Sequence, residues 1–342
     1  MTLEQIKETV NSLQYSFLKT NEYLGKNIVL IGLGGSYAYG TDIETSDLDI
    51  RGIALNSKQD ILTEQNFDQF VNEETDTTIY SFNKMMSLLT NVNPNTIELL
   101  GLKPEHYLYL SDIGKEILDN KKLFLSKKCI HSFGGYANQQ LYRLSQKSKH
   151  QLPKEELEEH ILKTLQFMQE SFVGKYTEVP SDGIKLYTDI SQHENYDKEI
   201  FMDVNLTHYP LRDYIGMVAE LQQTVKSYNK VGIRNSKAFE HGKIAKHMMH
   251  LIRLYLMCLD ILEKEEINTY REKEREMLID IRNGKYIDEN NQPVPEFFEM
   301  VNEYEKRLDY AKENTSLPAK PNYKAINEFV MSVNERIVKD EI

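Results

Sequence analysis

The sequence predicts an α+β fold in which a small mixed sheet with flanking helices is followed by a mostly helical C-terminal domain. Short β-branched runs are confined to the first 82 residues, and a periodicity near 3.6 dominates from residue 83 onward. A chain of 342 residues is also long enough for two domains of ordinary size. We therefore expect one domain over residues 1–125 and a second over residues 126–342.

The N-terminal third is expected to hold one helix and three strands. Apolar residues recur every three or four positions through 3–22, which predicts an amphipathic helix that ends before Gly25. Three β-branched or alternating runs predict strands at 27–33, 48–55 and 75–82. These strands would form the mixed sheet.

The remainder is expected to be helical around one irregular insertion. Pro94 suits the first turn of a helix, where its missing N–H costs nothing. Residues 173–210 combine Gly, Pro and Asp clusters with short tyrosine-containing runs, which predicts an irregular insertion that can include a hairpin. The predicted helices cover 83–92, 94–102, two segments within 126–172, and 210–229, 240–266 and 294–314.

Charge and composition exclude several classes of protein. The net charge of −12 and pI near 5.4 argue against binding of bulk duplex DNA or an anionic membrane. The most apolar long run, 250–262, is interrupted by Arg253 and Asp260 and is too short to span a bilayer. Cys129 and Cys258 are the only cysteines, so a disulfide framework is not expected. The N-terminus lacks the apolar core of a signal peptide, and we expect a cytoplasmic protein.

The stretch "GLGGSYAYGTDIETSDLDIRG", residues 32–52, begins with a candidate phosphate site. Gly34, Gly35 and Ser36 follow a predicted strand and precede a predicted helix start. Backbone N–H groups without bulky side chains can bind an anion there. When nothing else supports binding, glycines after a strand more often form a plain turn.

Asp47 and Asp49 end the same stretch and form a candidate metal site. Residues two apart on a strand point to one face, with Cα atoms roughly 6.6 to 7 Å apart. Two such carboxylates repel unless a cation lies between them, and Mg²⁺ prefers oxygen ligands. A solvated strand face is the alternative, but it does not account for Gly35 and Ser36, with ten residues separating Ser36 from Asp47.

These motifs together resemble the polymerase β-like nucleotidyltransferase superfamily, whose signature is an apolar-Gly-Ser unit followed by Asp-x-Asp between apolar residues. The fuller pattern resembles a bacterial and phage branch of predicted nucleotidyltransferases that includes RNA-ligase-associated members. The matching positions are "GSYAYG" and "SDLDIRG", Asn93-Pro94 with Glu98 and Leu100, Gly135-Tyr136-Ala137 with Gln140, Lys246 with His250, Arg253 and Leu254, and "IRNG" at 281–284.

The resemblance implies an Mg²⁺- or Mn²⁺-dependent enzyme that transfers a nucleoside monophosphate from a nucleoside triphosphate to a hydroxyl and releases pyrophosphate. It implies a nucleotidyltransferase catalytic domain at 1–125, with Gly35 and Ser36 on the β- and γ-phosphates and Asp47 and Asp49 on two metal ions. A third carboxylate is expected at Asp76, with Glu73 and Glu74 as the alternatives. The acceptor stays open between an RNA end, a protein hydroxyl and a small molecule, and a catalytically silent nucleotide-binding regulatory or antitoxin-like module is the alternative function.

Cationic residues complete the candidate site. Lys246, His250 and Arg253 lie at i, i+4 and i+7 of the predicted helix 240–266 and form one basic stripe. The stripe either faces the triphosphate or acceptor, as the resemblance implies, or is a solvated face. Arg51 shares the strand face of the aspartates, where it can hold a phosphate or pair with Asp47 or Asp49.

Overall fold

The computed structural model describes residues 1–63, 67–134, 175–180, 182–190, 198–223, 244–289 and 292–342, with the single positions 137, 162, 165, 166, 169 and 172. It confirms the α+β class, because a five-stranded mixed sheet with flanking helices precedes a largely helical C-terminal part.

The sheet has the order β3-β4-β2-β1-β5. Its strands are β1 Ile28–Leu33, β2 Ile50–Ala54, β3 Gln69–Asn72, β4 Thr77–Ser81 and β5 Tyr107–Leu110. β2 and β4 are parallel, whereas β1 is antiparallel to both β2 and β5, and β3 is antiparallel to β4. The parallel pair places the N-terminal ends of β2 and β4 at one edge of the sheet, where the candidate site lies.

Helices flank the sheet and make up the C-terminal part. In chain order they are α1 Leu3–Val10, α2 Phe17–Thr20, α3 Gly35–Tyr39, α4 Lys58–Leu62, α5 Phe82–Thr90, α6 Pro94–Ile97, α7 Asp112–Asp119, α8 Ile244–Lys264, α9 Arg275–Arg282, α10 Pro295–Asn314 and α11 Tyr323–Val338. Short 3₁₀ helices cover Leu13–Tyr15, Gly25–Asn27, Glu98–Gly101, Pro104–His106 and Lys121–Phe124. Residues 128–134 and 211–223 are also helical.

The three predicted strands are confirmed as β1, β2 and β4, each slightly shorter than predicted. The predicted helix over 3–22 is wrong in one respect, because it is broken into two helices and a 3₁₀ turn. The Asn11 side-chain amide donates to the Lys7 carbonyl (2.9 Å), and Ser12 then adopts an extended conformation. Asn and Ser compete with helical hydrogen bonding in this way, so the apolar stripe continues while the helix stops.

The chain divides into two compact units, and the first one is discontinuous in sequence. It consists of residues 1–141, 245–288 and 293–342, and the second of residues 142–244 and 289–292. The helices of residues 245–288 and 293–342, beyond the boundary predicted near residue 125, belong to the first unit. Leu259 of α8 and Ile326 of α11 are buried in the same apolar cluster as Leu30 of β1.

The second unit has its own small core and a two-stranded sheet. β6 Ile184–Ile190 pairs antiparallel with β7 Lys198–Val204, so the insertion predicted at 173–210 does contain a hairpin. Its buried apolar residues are Leu165, Phe172, Leu186, Met217 and Leu221. Most of the two helices predicted within 126–172 lies outside the described residues.

The described part of the chain contains neither a membrane span nor a disulfide. Among the described residues no helix combines the length and apolar character that crossing a bilayer requires. Cys129 and Cys258 are both buried and both free.

Candidate active site

The glycine turn and Asp49 face each other across two neighbouring strands. Leu33 at the end of β1 pairs with Ile50 at the start of β2. One residue further on, the Gly34 N–H donates to the Asp49 carbonyl (2.8 Å). This bond extends the pairing of β1 and β2 by one residue beyond Leu33 and Ile50. It fixes Asp49 opposite the turn. Asp47 and Asp49 thus lie in the segment leading into β2 rather than inside the strand, where the sequence had placed them.

Glycine is required at position 35, because the Asp49 side chain occupies the space that a Cβ would need there. The Gly35 φ of +53° is a conformation that favours glycine. A Cβ built at this position would collide with the Asp49 carboxyl group. Gly35 and Ser36 are half-buried and begin α3, so their N–H groups have no partner within the helix. The turn therefore offers N–H donors directly beside an acidic side chain.

Asp49 and Asp76 form a carboxylate pair that Arg51 joins. Arg51 donates to the Asp49 carboxylate (3.4 Å), and to both the side chain (3.1 Å) and the carbonyl (2.7 Å) of Asp76. Of the candidates for the third acid, Asp76 is the one that partners Asp49, whereas Glu73 and Glu74 are exposed in the preceding turn. Pairing of Arg51 within the protein, one of the two predicted roles, is therefore observed.

Burial and the neighbouring acid hold a proton on this pair. Burial, a hydrogen bond to Asp76 and the charge of Asp76 raise the pKa of Asp49 to about 7, against the opposing charges of Arg51 and Lys246. The hydrogen bond from Asp49 and the charge of Arg51 lower the pKa of Asp76. The side chains are 19% and 55% exposed, respectively. The protonated carboxyl is thus Asp49, the more buried of the two, and Asp76 is the ionised partner.

Asp47 does not join this pair. Its side chain is exposed, and among the described residues no three His, Cys, Asp or Glu side chains are close enough to form a metal site. Asp49 and Asp76 nevertheless fit a divalent cation. Both side chains are hard oxygen ligands, and a cation can replace the proton that the pair retains. The three-carboxylate metal site stays a prediction.

Lys246 of α8 acts on the carboxylate pair. Its side chain is exposed, and its positive charge lowers the pKa of both Asp49 and Asp76. The start of α8 therefore lies near the edge of the sheet that carries Asp49 and Asp76, close enough for electrostatic interaction with both acids. Lys246 is the member of the predicted basic stripe that adjoins the acids.

Arg253, two turns further along α8, is not part of a solvated face. It is only 9% exposed, and its guanidinium lies 3.3 Å from the centroid of the Tyr39 ring. It donates to Nδ1 of His250 (2.8 Å), so neutral His250 carries its proton on Nε2. Its Nε, also buried, has no hydrogen-bond partner among the described residues. The structure separates the predicted stripe into an exposed cation at Lys246 and a buried cation at Arg253.

Glu98 and Tyr39 connect Arg253 to the edge of the sheet that carries Asp49 and Asp76. Neither residue was predicted as a site residue. The Tyr39 hydroxyl donates to the Glu98 carboxylate. Burial raises the pKa of Glu98, and the charges of Arg253 and Arg51 oppose that shift. Tyr39 is the last residue of the helix that Gly35 begins. The only sequence signal for Glu98 was its place in the family pattern.

Arg282 braces the loop that carries Asp47. It lies at the end of α9 and donates to the Thr41 carbonyl (2.6 Å) and to the Ser46 hydroxyl (3.1 Å). The Ile43 N–H also donates to the Ser46 hydroxyl (2.9 Å). The segment from α3 to the aspartates is therefore held by a residue of the C-terminal helices, and "IRNG" was the signal that could have identified it.

Comparison with known proteins gives one family. The model of the RNA repair pathway DNA polymerase beta family, RlaP, matches residues 2–173, which is half of the chain. The match includes the glycine turn, the three aspartates and Glu98, but not Lys246, Arg253 or Arg282. No curated protein and no solved structure matches the chain.

We predict that Gly35→Ala lowers the free energy of unfolding more than Gly284→Ala. Both glycines have positive φ, +53° and +88°, so both variants carry backbone strain on the order of 1 kcal/mol. The new methyl group meets the Asp49 carboxyl at position 35 and nothing within 4 Å at position 284. Equilibrium urea unfolding measures the difference, and equal losses in the two variants would contradict the contact.

We also predict that Arg282→Ala loosens residues 41–46. Loss of its two hydrogen bonds should speed amide exchange at Ile43 and Ser46, as measured by hydrogen–deuterium exchange with mass spectrometry. Arg275→Ala is the matched control, because Arg275 is exposed at the start of the same helix. Unchanged exchange in Arg282→Ala, or the same increase in Arg275→Ala, would show that Arg282 does not brace this loop.

Proposed function

Because the chain belongs to the RNA repair pathway DNA polymerase beta family, we propose that it transfers a nucleoside monophosphate from a nucleoside triphosphate to the 3′-hydroxyl of RNA. The family implies nucleotidyltransferase activity, and the carboxylate pair beside the glycine turn is the observation that carries the proposal for this site. A catalytically silent module is disfavoured, because a protein without activity has no reason to retain two neighbouring acids that need a proton or a cation to coexist.

The triphosphate end of the nucleotide is proposed to bind at the start of α3. The N–H groups of Gly35 and Ser36, which have no partner within α3, suit the β- and γ-phosphates, and the Ser36 hydroxyl adds a donor. Lys246, exposed on the same edge, neutralises phosphate charge as a mobile point cation. Arg51 is engaged by Asp49 and Asp76, so its proposed contribution is to orient that pair, and contact to phosphate is its second proposed role. Arg253 packs on Tyr39 at the end of α3 and donates to His250, and both residues are proposed to contact the nucleotide.

Asp49, Asp76 and Asp47 are the proposed ligands of Mg²⁺ or Mn²⁺. When bound, the metal ions would neutralise phosphate charge and lower the pKa of the attacking hydroxyl. Asp49 must lose its proton to act as a ligand, because only the carboxylate form coordinates. Asp47 lies two residues away in the braced loop, and Asp76 lies across the parallel strand pair.

The proposed transfer forms one bond and breaks another at the α-phosphorus. The RNA 3′-oxygen forms a bond to the α-phosphorus, and the bond from that phosphorus to the bridging oxygen of the β-phosphate breaks. Asp76, the more exposed of the two acids, is the proposed acceptor of the hydroxyl proton. Pyrophosphate leaves from the glycine turn. Protein and small-molecule hydroxyls are compatible with the same step, and the family's description favours RNA.

We predict that Asp49→Asn and Asp76→Asn each reduce transfer by about a thousandfold or more, since each removes a charge that the metal and the phosphates require. Asn has the shape of Asp, and the Gly34–Asp49 bond uses only backbone atoms, so both variants should fold. The assay follows α-labelled ATP, GTP, CTP and UTP onto an RNA oligonucleotide with Mg²⁺ or Mn²⁺. Exposed Asp309→Asn is the control. Full activity in either site variant would contradict the assignment, and the absence of label from RNA in the wild type would contradict the acceptor.

We predict that Mg²⁺ raises the thermal stability of the protein more at pH 8 than at pH 5.5. The raised pKa of Asp49 gives the metal-free protein a stabilising contribution that is full below 3.8 and lost as the pH rises through about 7. Mg²⁺ can replace that proton readily only at a pH at which Asp49 is largely ionised. Differential scanning fluorimetry measures the shift, with Asp49→Asn as the control in which it should be small at both pH values. A Mg²⁺ effect in wild type that is equal at the two pH values would contradict binding at Asp49.

A further inference from the structure

A concentration of lysines lies apart from the carboxylate pair. Two segments, 121–128 and 320–324, carry Lys121, Lys122, Lys127, Lys128, Lys320 and Lys324 and no acidic residue. We call the surface they form the lysine surface. The chain as a whole has a net charge of −12, so this excess of positive charge is local and opposite in sign to the rest of the molecule.

The two segments are joined by direct contacts within the first compact unit. The Lys127 N–H donates to the Pro318 carbonyl (2.9 Å), and the Asn322 N–H donates to the Leu123 carbonyl (3.4 Å). The Lys128 ammonium lies 5.4 Å from the centroid of the Tyr323 ring. The two lysine-bearing segments are therefore adjacent, and Lys128 lies beside Tyr323.

The positive charge of the lysine surface is almost unbalanced. Among the described residues only Lys324 has a carboxylate partner, Glu328, at 3.9 Å. Lys128 donates to the amide oxygen of Asn91 (3.0 Å), which leaves its charge in place. Lys122 and Lys320 are exposed. Such a surface attracts a polyanion, and most of its cations need not break an ion pair to bind one.

The lysine surface is attached to the polypeptide that leads into the candidate active site. Lys128 contacts Asn91, and the Ser132 hydroxyl donates to the Val92 carbonyl (2.8 Å). Asn93 then caps α6, and Glu98 follows directly after that helix. Seven residues of helical or turn structure span roughly 10–14 Å. The lysine surface is therefore joined to Glu98, the partner of Tyr39 in α3, through a short stretch of ordered backbone.

We propose that the lysine surface binds the phosphate backbone of the single-stranded RNA whose 3′ end enters the active site. The inference rests on the proposed function for its choice of RNA. Lysine ammonium groups bind phosphates without base preference, and an exposed tyrosine offers a face for base stacking. Tyr323, 42% exposed, is the one exposed large hydrophobic residue of the two segments. An acidic protein partner would need more apolar anchors than this surface has.

The test is fluorescence anisotropy of a labelled single-stranded RNA of about ten nucleotides, measured without nucleoside triphosphate. The variant Lys122→Glu/Lys320→Glu should bind about tenfold more weakly or worse, and the dependence of log affinity on log salt should flatten by about 1.4. The matched control is Lys273→Glu/Lys306→Glu, which makes the same charge change at exposed lysines that adjoin acidic residues in sequence. The control should bind like the wild type.

Equal loss of affinity in the two double variants would overturn the lysine surface as the RNA site, because only net charge would matter. Binding of polyglutamate that depends on Lys122 and Lys320, with RNA binding unaffected, would also overturn it. The outcome is separate from that of the proposed function. Site-specific RNA binding without any transfer of label supports the surface and rejects the enzyme, whereas transfer to RNA with an unaltered KM for RNA in Lys122→Glu/Lys320→Glu rejects the surface alone.

Discussion

The Asp49 carboxyl group occupies the space that a side chain at position 35 would need. The strand pairing continues beyond Leu33 and Ile50 to a hydrogen bond between Gly34 and Asp49, so the acid cannot move away without loss of backbone pairing. Gly35 resolves the conflict, because it has no Cβ and accepts a positive φ. The N–H donors of the turn and the half-buried Asp49 carboxyl group are thereby held side by side, an arrangement that suits the proposed metal–phosphate complex.

Charge balance at the site follows from this packing. Asp49 is buried enough to keep a proton near neutral pH, while Asp76 stays ionised with the help of Arg51 and Lys246. The site thus holds two acids and two nearby cations in the absence of ligands. The proposed metal–triphosphate complex would change that balance by supplying both signs of charge. Arg51 is already bonded to both acids, which supports the proposal that it orients the pair rather than binding phosphate.

The sequence predicted those parts of the molecule that depend on local patterns. Strands β1, β2 and β4 follow from short β-branched runs, and the glycine turn and the aspartates follow from spacing along those strands. Strands β3 and β5 were missed, because each has only four residues and is half exposed. Tyr39 and Glu98 are 59 residues apart, and Arg282 is 241 residues from Thr41. Such contacts have no periodicity to reveal them, and they emerge only from the tertiary fold.

The C-terminal helices supply half of the polar framework around the acids, although they lie beyond the stretch that matches the family. Lys246 acts on both carboxylates, Arg253 covers the end of α3, and Arg282 holds the loop that carries Asp47. These residues reach a site whose acids all lie within the first 76 residues, because α8 and α9 share the core of the first unit. The acids, the glycine turn and Arg51 are fixed by strand pairing, whereas Lys246, Arg253 and Arg282 come from helices of the same unit. Changes in α8 or α9 would therefore alter the surroundings of the proposed nucleotide site while the carboxylate pair stays intact.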